Sequence, residues 1–362
     1  MAHLIAARRS AVVPRGGAFA RLSIEDLGAP VALACLAAAG IAGAEVDEII
    51  LSNALGAGGN PARRVALAAG LPERVAGLSI DRQCAGGLDA ILLARAMIDS
   101  GMVEVVLAGG VESYSRRPIR LRTDPDGGPP AAYDEAPFTP WPDRHPGMTD
   151  AADALAQRLG ITRAAQEAWA VESHRKALIA NHSTEITPLN GVAHDAFTRA
   201  LTPALAARAS VVVGSITAAT AAVAADAAAF VLVVSDRVAA RYARSLRIAA
   251  GATIGANPLE PGLAPLVAIA KVLGDRSPAD LAMAEVMEAY AVQAMATVTA
   301  VGLDPRIVNP GGGALARGHP IGASGTILAV RLFHDLRAGY GLAAIAAAGG
   351  LGTALLVEAS GA

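Results

Sequence analysis

Short apolar runs alternate along the chain with alanine-rich amphipathic segments, and this alternation limits the possible folds more than any other feature. The apolar periodicity predicts buried strands at 46–51, 103–107, 224–234 and 342–347, and helices at 62–69, 88–100 and 326–337. Strands that alternate with helices are typical of an α/β protein. In both halves a helix leads into a buried strand that ends in a Gly-Gly pair, Gly109-Gly110 and Gly349-Gly350, which suggests an internal duplication.

The composition excludes several classes of protein. Apolar residues make up 53% of the 362 residues and charged residues 17%, which excludes extended disorder and leaves room for two or three domains. The 30 basic and 32 acidic residues nearly cancel, and 3% of residues are aromatic, so no nucleic-acid partner is expected. The two cysteines, Cys35 and Cys84, cannot build a disulfide framework or a cysteine-rich zinc site, and a reducing, cytoplasmic setting fits best.

The longest uncharged run, 338–357, is long enough to cross a bilayer. The run is interrupted by glycines, so we predict two buried strands joined by a tight turn in place of a membrane span. Arg8 and Arg9 fall where a signal peptide needs its apolar stretch, which argues against secretion.

The middle of the chain differs in composition from both ends. Residues 114–146 are rich in Pro, Arg, Asp and Gly and lack periodicity, which indicates an excursion from the core. Two helices are predicted over 149–181, with Thr162 capping the second. We predict an N-terminal half of residues 1–113 plus about 224–246, an inserted loop domain of residues 114–223, and a C-terminal half of residues 247–362.

Cys84 lies in DRQCAGGLDAI, where a predicted strand passes into a helix. A thiol there faces the unpaired N–H groups and the positive end of the helix dipole, which favours thiolate and can lower a thiol pKa from about 8.5 to about 3.5–7.5. Gly86 and Gly87 leave room for an acyl group and a long thin substrate arm. The alternative is an inert buried thiol, which is what we expect of Cys35.

His319 lies in NPGGGALARGHPIGASG, where glycines such as Gly318 let the backbone fold closely around a ligand. An imidazole held there could take the thiol proton or donate a hydrogen bond to a thioester oxygen. The alternative is a structural histidine among glycine turns. The remaining histidines show no metal-binding spacing, so no metal site is expected.

Two further features each have two interpretations. Glu112 follows a predicted strand and could serve as an acid, although a structural hydrogen-bonding role is favoured. A basic cluster is either a solvated loop or attracts a phosphate-bearing ligand such as a coenzyme; its members are Arg116, Arg117, Arg120 and Arg122.

These motifs and their surroundings resemble the thiolase family, which handles acyl-coenzyme A thioesters. The similar segments occur in the family's order: AARRSAVVPRGGAF, NPARRVALAAGLP, DRQCAGGLDAI, VVLAGGVESYS, VMEAYAVQA and GGALARGHPIGASG. The resemblance implies two similar α/β halves in a five-layer αβαβα core, with the inserted loop domain covering the coenzyme. It also implies acyl-CoA as a substrate, no permanently bound cofactor, and a homodimer or homotetramer.

The resemblance assigns roles to individual residues. Cys84 matches the acyl-accepting nucleophile, and His319 matches the histidine that activates it and lines an oxyanion hole. The backbone N–H groups of Cys84 and Ala348 match a second oxyanion hole, Met148 lies beside the pantetheine arm, and Ala222 stands where a coenzyme-contacting serine is usual.

The chain also departs from the family's pattern. The Asn-Glu-Ala-Phe motif reads Met287-Glu288-Ala289-Tyr290, so the asparagine that holds an oxyanion-hole water is lost. The second cysteine, which moves the proton at the substrate α-carbon, is Ala346, and a neighbouring glycine is Ala348. We therefore predict an acyltransferase that uses Cys84 and His319, with weak or altered thiolysis and Claisen condensation. The alternative is a non-catalytic subunit that binds acyl-CoA or supports a partner enzyme.

Overall fold

The computed structural model describes residues 1–56 and 58–359. Residue 57 and residues 360–362, the end of the predicted C-terminal half, lie outside the described residues. Over the described ranges the chain forms strands β1 Ala2–Ser10, β2 Val13–Pro14, β3 Glu48–Ser52, β4 Leu78–Ile80, β5 Val105–Glu112, β6 Arg120–Arg122, β7 Ala131–Tyr133, β8 Ile186–Thr187, β9 Val211–Val213, β10 Ile216–Thr217, β11 Ala225–Ser235, β12 Leu246–Gly255, β13 Leu281–Val286, β14 Gly339–Ala347 and β15 Leu351–Ala359.

Helices lie between many of these strands, as the apolar pattern predicts. They are α1 Ile24–Ala39, α2 Pro61–Ala68, α3 Gly86–Asp99, α4 Met148–Leu159, α5 Arg163–Ile179, α6 Pro203–Ala207, α7 Asp236–Ala239, α8 Pro265–Leu273, α9 Ala291–Val301, α10 Ala314–Arg317 and α11 Ile321–Asp335. The predicted cap of the second inserted helix is confirmed, since the Thr162 side chain accepts a hydrogen bond from the backbone N–H of Ala165. Among the described residues, no helix is both long and apolar enough to cross a membrane.

The sheet topology supports the suggested duplication. The strands follow the order β13-β14-β15-β12-β1-β11-β5-β3-β4. Outward from the seam between β1 and β12, the N-terminal half runs β1-β11-β5-β3 and the C-terminal half runs β12-β15-β14-β13. In each half these are the first, last, third and second long strands along the chain. In each half the first two pairings are antiparallel and the third is parallel. The seam itself joins the halves through only His3 opposite Arg247 and Leu4 opposite Leu246.

Helices cover both faces of both sheet halves. Helices α1 and α2 pack on the outer face of the N-terminal strands, and α8 and α9 pack against the C-terminal strands. Helices α3 and α11 pack against each other and contact strands of both halves. The predicted five-layer αβαβα arrangement is therefore confirmed, with α3 and α11 as the central layer. The limits of the three predicted domains remain a prediction, although β8, from the inserted segment, pairs with β1 of the core.

The Gly-Gly pairs serve different purposes in the two halves. Gly349 and Gly350 follow β14 in the tight turn predicted for this run, with φ angles of 80° and 75°. The prediction that Gly109-Gly110 ends a strand is wrong, because both residues lie inside β5. A Cβ on Gly110 would lie 1.9 Å from the carbonyl oxygen of Gly322, so the glycine is needed where the first turn of α11 crosses the strand.

Candidate active site

The duplication brings the two predicted catalytic residues together. Cys84 lies two residues before the start of α3, and His319 lies two residues before the start of α11. Both line one cavity of about 680 Å³, so each half contributes one reactive side chain from the N-terminal end of its central helix. Met148 and Ala222, which the resemblance assigns to substrate contacts, and Ala348, which it assigns to an oxyanion hole, line the same cavity.

A strained turn presents the thiol to the cavity. Gln83 has a φ angle of 48°, in the left-handed region that non-glycine residues rarely adopt. The Asp81 carboxylate compensates for part of this cost by accepting hydrogen bonds from the Gln83 backbone N–H at 2.8 Å and from its side-chain amide at 3.0 Å. Cys84 follows within a single 3₁₀ turn, Gln83–Ala85, and its side chain is partly exposed.

Hydrogen bonds around His319 determine its tautomer. The Ser324 hydroxyl donates to the carbonyl oxygen of Pro320 at 3.1 Å, so its oxygen accepts from Nδ1–H of His319 at 2.6 Å. Nδ1 therefore carries the proton and Nε2 keeps its lone pair. The distance from Nε2 to the Cys84 Sγ is 3.1 Å, so the thiol S–H donates to the free imidazole nitrogen.

Burial determines the charge state of this pair. It raises the pKa of the Cys84 thiol to about 12, with added repulsion from Glu112 and Asp81. Burial also lowers the pKa of His319 to about 4. The predicted lowering of the thiol pKa is thus wrong for the resting protein, because loss of hydration outweighs the helix N-terminus. At neutral pH the pair consists of a thiol and a neutral imidazole.

Glu112 has the structural role that the sequence favoured. Its fully buried carboxylate accepts hydrogen bonds from the backbone N–H groups of Ala54 at 3.0 Å and Gly322 at 2.9 Å, and from the Asn53 amide at 2.7 Å. Burial raises its pKa to about 7. These bonds tie the end of β5 to the loop after β3 and to the first turn of α11, which carries Ser324.

The basic cluster only partly reaches the cavity. Of its members, Arg117 and Arg120 line it, whereas Arg116 and Arg122 are not among the described lining residues. Arg117 pairs with Asp134 at 2.9 Å, and Arg120 donates to the carbonyl oxygen of Leu55 at 2.6 Å. Both guanidinium groups therefore already have partners within the chain.

Gly318 serves the backbone more than the cavity. Its φ angle is 111°, which a side chain would not tolerate, and a Cβ there would lie 3.0 Å from that of Ala225 and 3.3 Å from Val12. Gly318 is not among the described residues that line the cavity, so the predicted ligand contact is not seen. Its conformation turns the chain so that His319 points its ring at Cys84.

Sequence reasoning missed the place of two polar side chains in the site. Ser324 follows His319 by five residues in the first turn of α11, and this spacing could have identified it as the partner of Nδ1. Tyr290 lines the cavity and its hydroxyl lies 2.9 Å from Oγ1 of Thr149, a contact between distant segments that no local pattern reveals. Within the described ranges, no group of three or more His, Cys, Asp or Glu side chains is placed to hold a metal ion.

Comparison with known proteins agrees with this geometry. Residues 2–237 match the family model of the thiolase N-terminal domain, and residues 243–359 match that of the thiolase C-terminal domain. The chain belongs to the thiolase family. Among its thiolase relatives is an acetyl-CoA acetyltransferase of Cupriavidus necator, 36% identical, with 98% of each chain covered.

Solved thiolase structures share the whole fold. The acetyl-CoA acetyltransferase of Bacillus anthracis superposes with a TM-score of 0.92 at 32% identity, covering 99% of this chain and 98% of its own. Acat5 thiolase from Ascaris suum in complex with coenzyme A superposes with a TM-score of 0.92 at 27% identity, covering 99% of both chains.

Two residues that depart from the thiolase pattern are buried beside the site. Met287 is buried in the core, and its backbone N–H donates to the carbonyl oxygen of Ala344. Ala346 is 7% exposed in β14, one residue before the strand ends at Ala347. Neither is among the described lining residues, whereas Ala348, in the turn that follows, is. Neither side chain has a group that transfers a proton at neutral pH.

Proposed function

We propose that this thiolase is an acyltransferase that takes an acyl group from an acyl-CoA thioester onto the Sγ atom of Cys84. The observation that carries the proposal is the 3.1 Å contact between Sγ and the unprotonated Nε2 of His319, inside a cavity that is large enough for a substrate arm. Acetyl-CoA acetyltransferases among the relatives, and the coenzyme A complex of the Ascaris suum thiolase, support the choice of substrate.

The acylation step follows from the neutral pair. Sγ attacks the thioester carbon as its proton passes to Nε2 of His319, and a carbon–sulfur bond to Cys84 forms. Collapse of the tetrahedral intermediate breaks the bond to the coenzyme sulfur, which takes the proton back from the imidazolium. Ser324 holds the ring in the tautomer that this transfer requires, as its oxygen accepts from Nδ1–H.

Backbone groups and the loop segment complete the proposed site. We infer that the N–H groups of Cys84 and Ala348, both on cavity-lining residues, stabilise the oxyanion of the intermediate. Met148 and Ala222, from the predicted loop domain of residues 114–223, would border the pantetheine arm. The coenzyme is a substrate in this scheme and leaves after each turnover.

Carbon–carbon bond chemistry should be weak or altered. Thiolysis and Claisen condensation need a group that moves the proton at the α-carbon, and alanine at position 346 has none. A positioned acid/base contributes about 10²–10⁴ in rate. Met287 removes a second polar group, so acyl transfer onto Cys84 is the step that the remaining residues support.

Intact-protein mass spectrometry tests the proposal. The protein, incubated with acetyl-, butyryl- and longer acyl-CoAs, should gain one acyl mass, and peptide mapping should place it on Cys84. Cys84→Ala should abolish the adduct, whereas Cys35→Ala, which removes a buried thiol in the core, should retain it. A protein that stays unmodified with every acyl-CoA contradicts the proposal.

The second candidate is a non-catalytic thiolase-like subunit, and the loss of polar side chains at 287 and 346 favours it. Such a subunit would bind acyl-CoA or support a partner enzyme. Its signature is co-purification with a partner in an assembly whose activity survives Cys84→Ala.

A further inference from the structure

The cavity wall carries a hydroxyl that the proposed acylation does not use. Tyr290 lines the cavity, and its neighbours in sequence and through backbone pairing, Ala289 and Ala222, are apolar. The Tyr290 hydroxyl lies 2.9 Å from Oγ1 of Thr149. A polar group in such surroundings discriminates strongly between ligands that can and cannot bond to it.

The Tyr290–Thr149 pair has one hydrogen left over. Two hydroxyls carry two O–H hydrogens, and the single bond between them uses one. Neither oxygen has a second hydrogen-bond partner within residues 1–56 and 58–359. Whichever hydroxyl donates to the other, one O–H donor and acceptor lone pairs remain available to a ligand.

The backbone around Tyr290 is held in place from both sides. Ala221 forms an antiparallel bridge with Tyr290. Hydrogen bonds flank this bridge: the N–H of Ala222 donates to the carbonyl oxygen of Ala289, and the N–H of Ala291 donates to the carbonyl oxygen of Thr220. Tyr290 is also the residue before α9 and has an extended backbone conformation. The hydroxyl is therefore preorganised, which reduces the entropy cost of ordering it around a ligand.

The same extended segment also positions His319. Ala224 forms a parallel bridge with His319, three residues after the bridge between Ala221 and Tyr290. Three residues of extended chain span about 10 Å. Both side chains line one cavity, so the Tyr290 hydroxyl is within reach of a short acyl chain held near Cys84.

We propose that the Tyr290–Thr149 hydroxyl pair is a specificity-determining subsite that binds a hydroxyl group on the acyl chain, such as a 3-hydroxyl. This inference rests on the proposed function, because it assumes that the acyl group of an acyl-CoA occupies this cavity. An unsubstituted acyl chain would cover the free O–H without bonding to it, which costs affinity.

Binding measurements in a Cys84→Ala background test the subsite without turnover. Calorimetry should show tighter binding of 3-hydroxybutyryl-CoA than of butyryl-CoA, by about 3- to 10-fold for one hydrogen bond. Tyr290→Phe should remove this preference, because it weakens the binding of 3-hydroxybutyryl-CoA and relieves the cost that butyryl-CoA pays for covering an unpartnered O–H. Thr149→Val should reduce the preference. Tyr133→Phe, which removes a different hydroxyl from the same cavity, should keep the preference.

The outcomes separate this subsite from the proposed function. Equal affinities in the presence of Tyr290, or a preference that persists in Tyr290→Phe, overturn the subsite even if Cys84 is acylated in the unmodified protein. A preference that disappears in Tyr290→Phe, in a protein whose Cys84 is never acylated, supports the subsite and overturns the acyltransferase. Absence of binding by both acyl-CoAs overturns both.

Discussion

Substitution of Ser324 by alanine isolates the contribution of the imidazole tautomer. The change leaves the Nδ1–H of His319 without its acceptor in a buried site, at a cost of about 1–3 kcal/mol. The ring can relieve this cost by carrying its proton on Nε2, where it can no longer accept the proton of Cys84. Since 1.36 kcal/mol corresponds to a factor of ten in rate, acylation should slow by about 10- to 100-fold.

The assay is single-turnover acylation of Cys84, followed by rapid quenching and intact-mass detection at saturating acyl-CoA. Thr326→Val is the matched control, because this buried hydroxyl lies on the same helix and donates to the carbonyl oxygen of Gly87 without contacting His319. The control should lose stability and keep its acylation rate. If Ser324→Ala acylates as fast as Thr326→Val between pH 6 and 9, the tautomer argument is wrong.

Three further predictions concern charge, the missing base and the buried ion pairs. Burial lowers the pKa of His319 to about 4 and raises the pKa of Cys84 to about 12. The acylation rate should therefore be level from pH 6 to 9 and fall only near pH 4, where the imidazole becomes protonated. A sigmoidal rise in rate centred near pH 7 would contradict this prediction. Ala346→Cys should raise the thiolysis rate in a spectrophotometric assay, by up to about 10²–10⁴, whereas Ala347→Cys, on the opposite face of the strand, should not. Arg9→Met should lower the free energy of unfolding, measured in urea, by about 3–5 kcal/mol, because it leaves the buried Asp195 carboxylate without its ion-pair partner. A change below about 1 kcal/mol would show that the ion pair contributes little.

Much of the fold could be predicted because it depends on local periodicity. The apolar run at 342–347 lies within β14, and the run at 224–234 matches β11 except for its first residue. The glycine-interrupted run at 338–357 forms two strands with a turn. The repeat of helix, buried strand and Gly-Gly pair agrees with the strand order that the two halves share. The seam between β1 and β12 could not be predicted, because it joins residues more than two hundred positions apart through two residue pairs.

The site was predictable in its members and less so in its electrostatics. Cys84 and His319 stand out by their glycine-rich surroundings, and both line the cavity. The direction of the thiol pKa shift could not be predicted from the sequence. A helix N-terminus can be recognised in a sequence, whereas the burial of the thiol depends on how both halves pack around it. The contact of the Tyr290 hydroxyl could not be predicted for a similar reason, since its partner Thr149 is 141 residues away.

The departures from the thiolase pattern separate the two steps of the family's chemistry. In the proposed acylation, the nucleophile and the base come from the N-terminal ends of the two central helices, α3 and α11. Proton transfer at the α-carbon needs a group on the β14–β15 hairpin, where Ala346 now stands. Glu112 supports the proposed acylation site independently of that hairpin. Its carboxylate ties the loop after β3 to the first turn of α11, so the segment that follows His319 is held by contacts in which the β14–β15 hairpin takes no part.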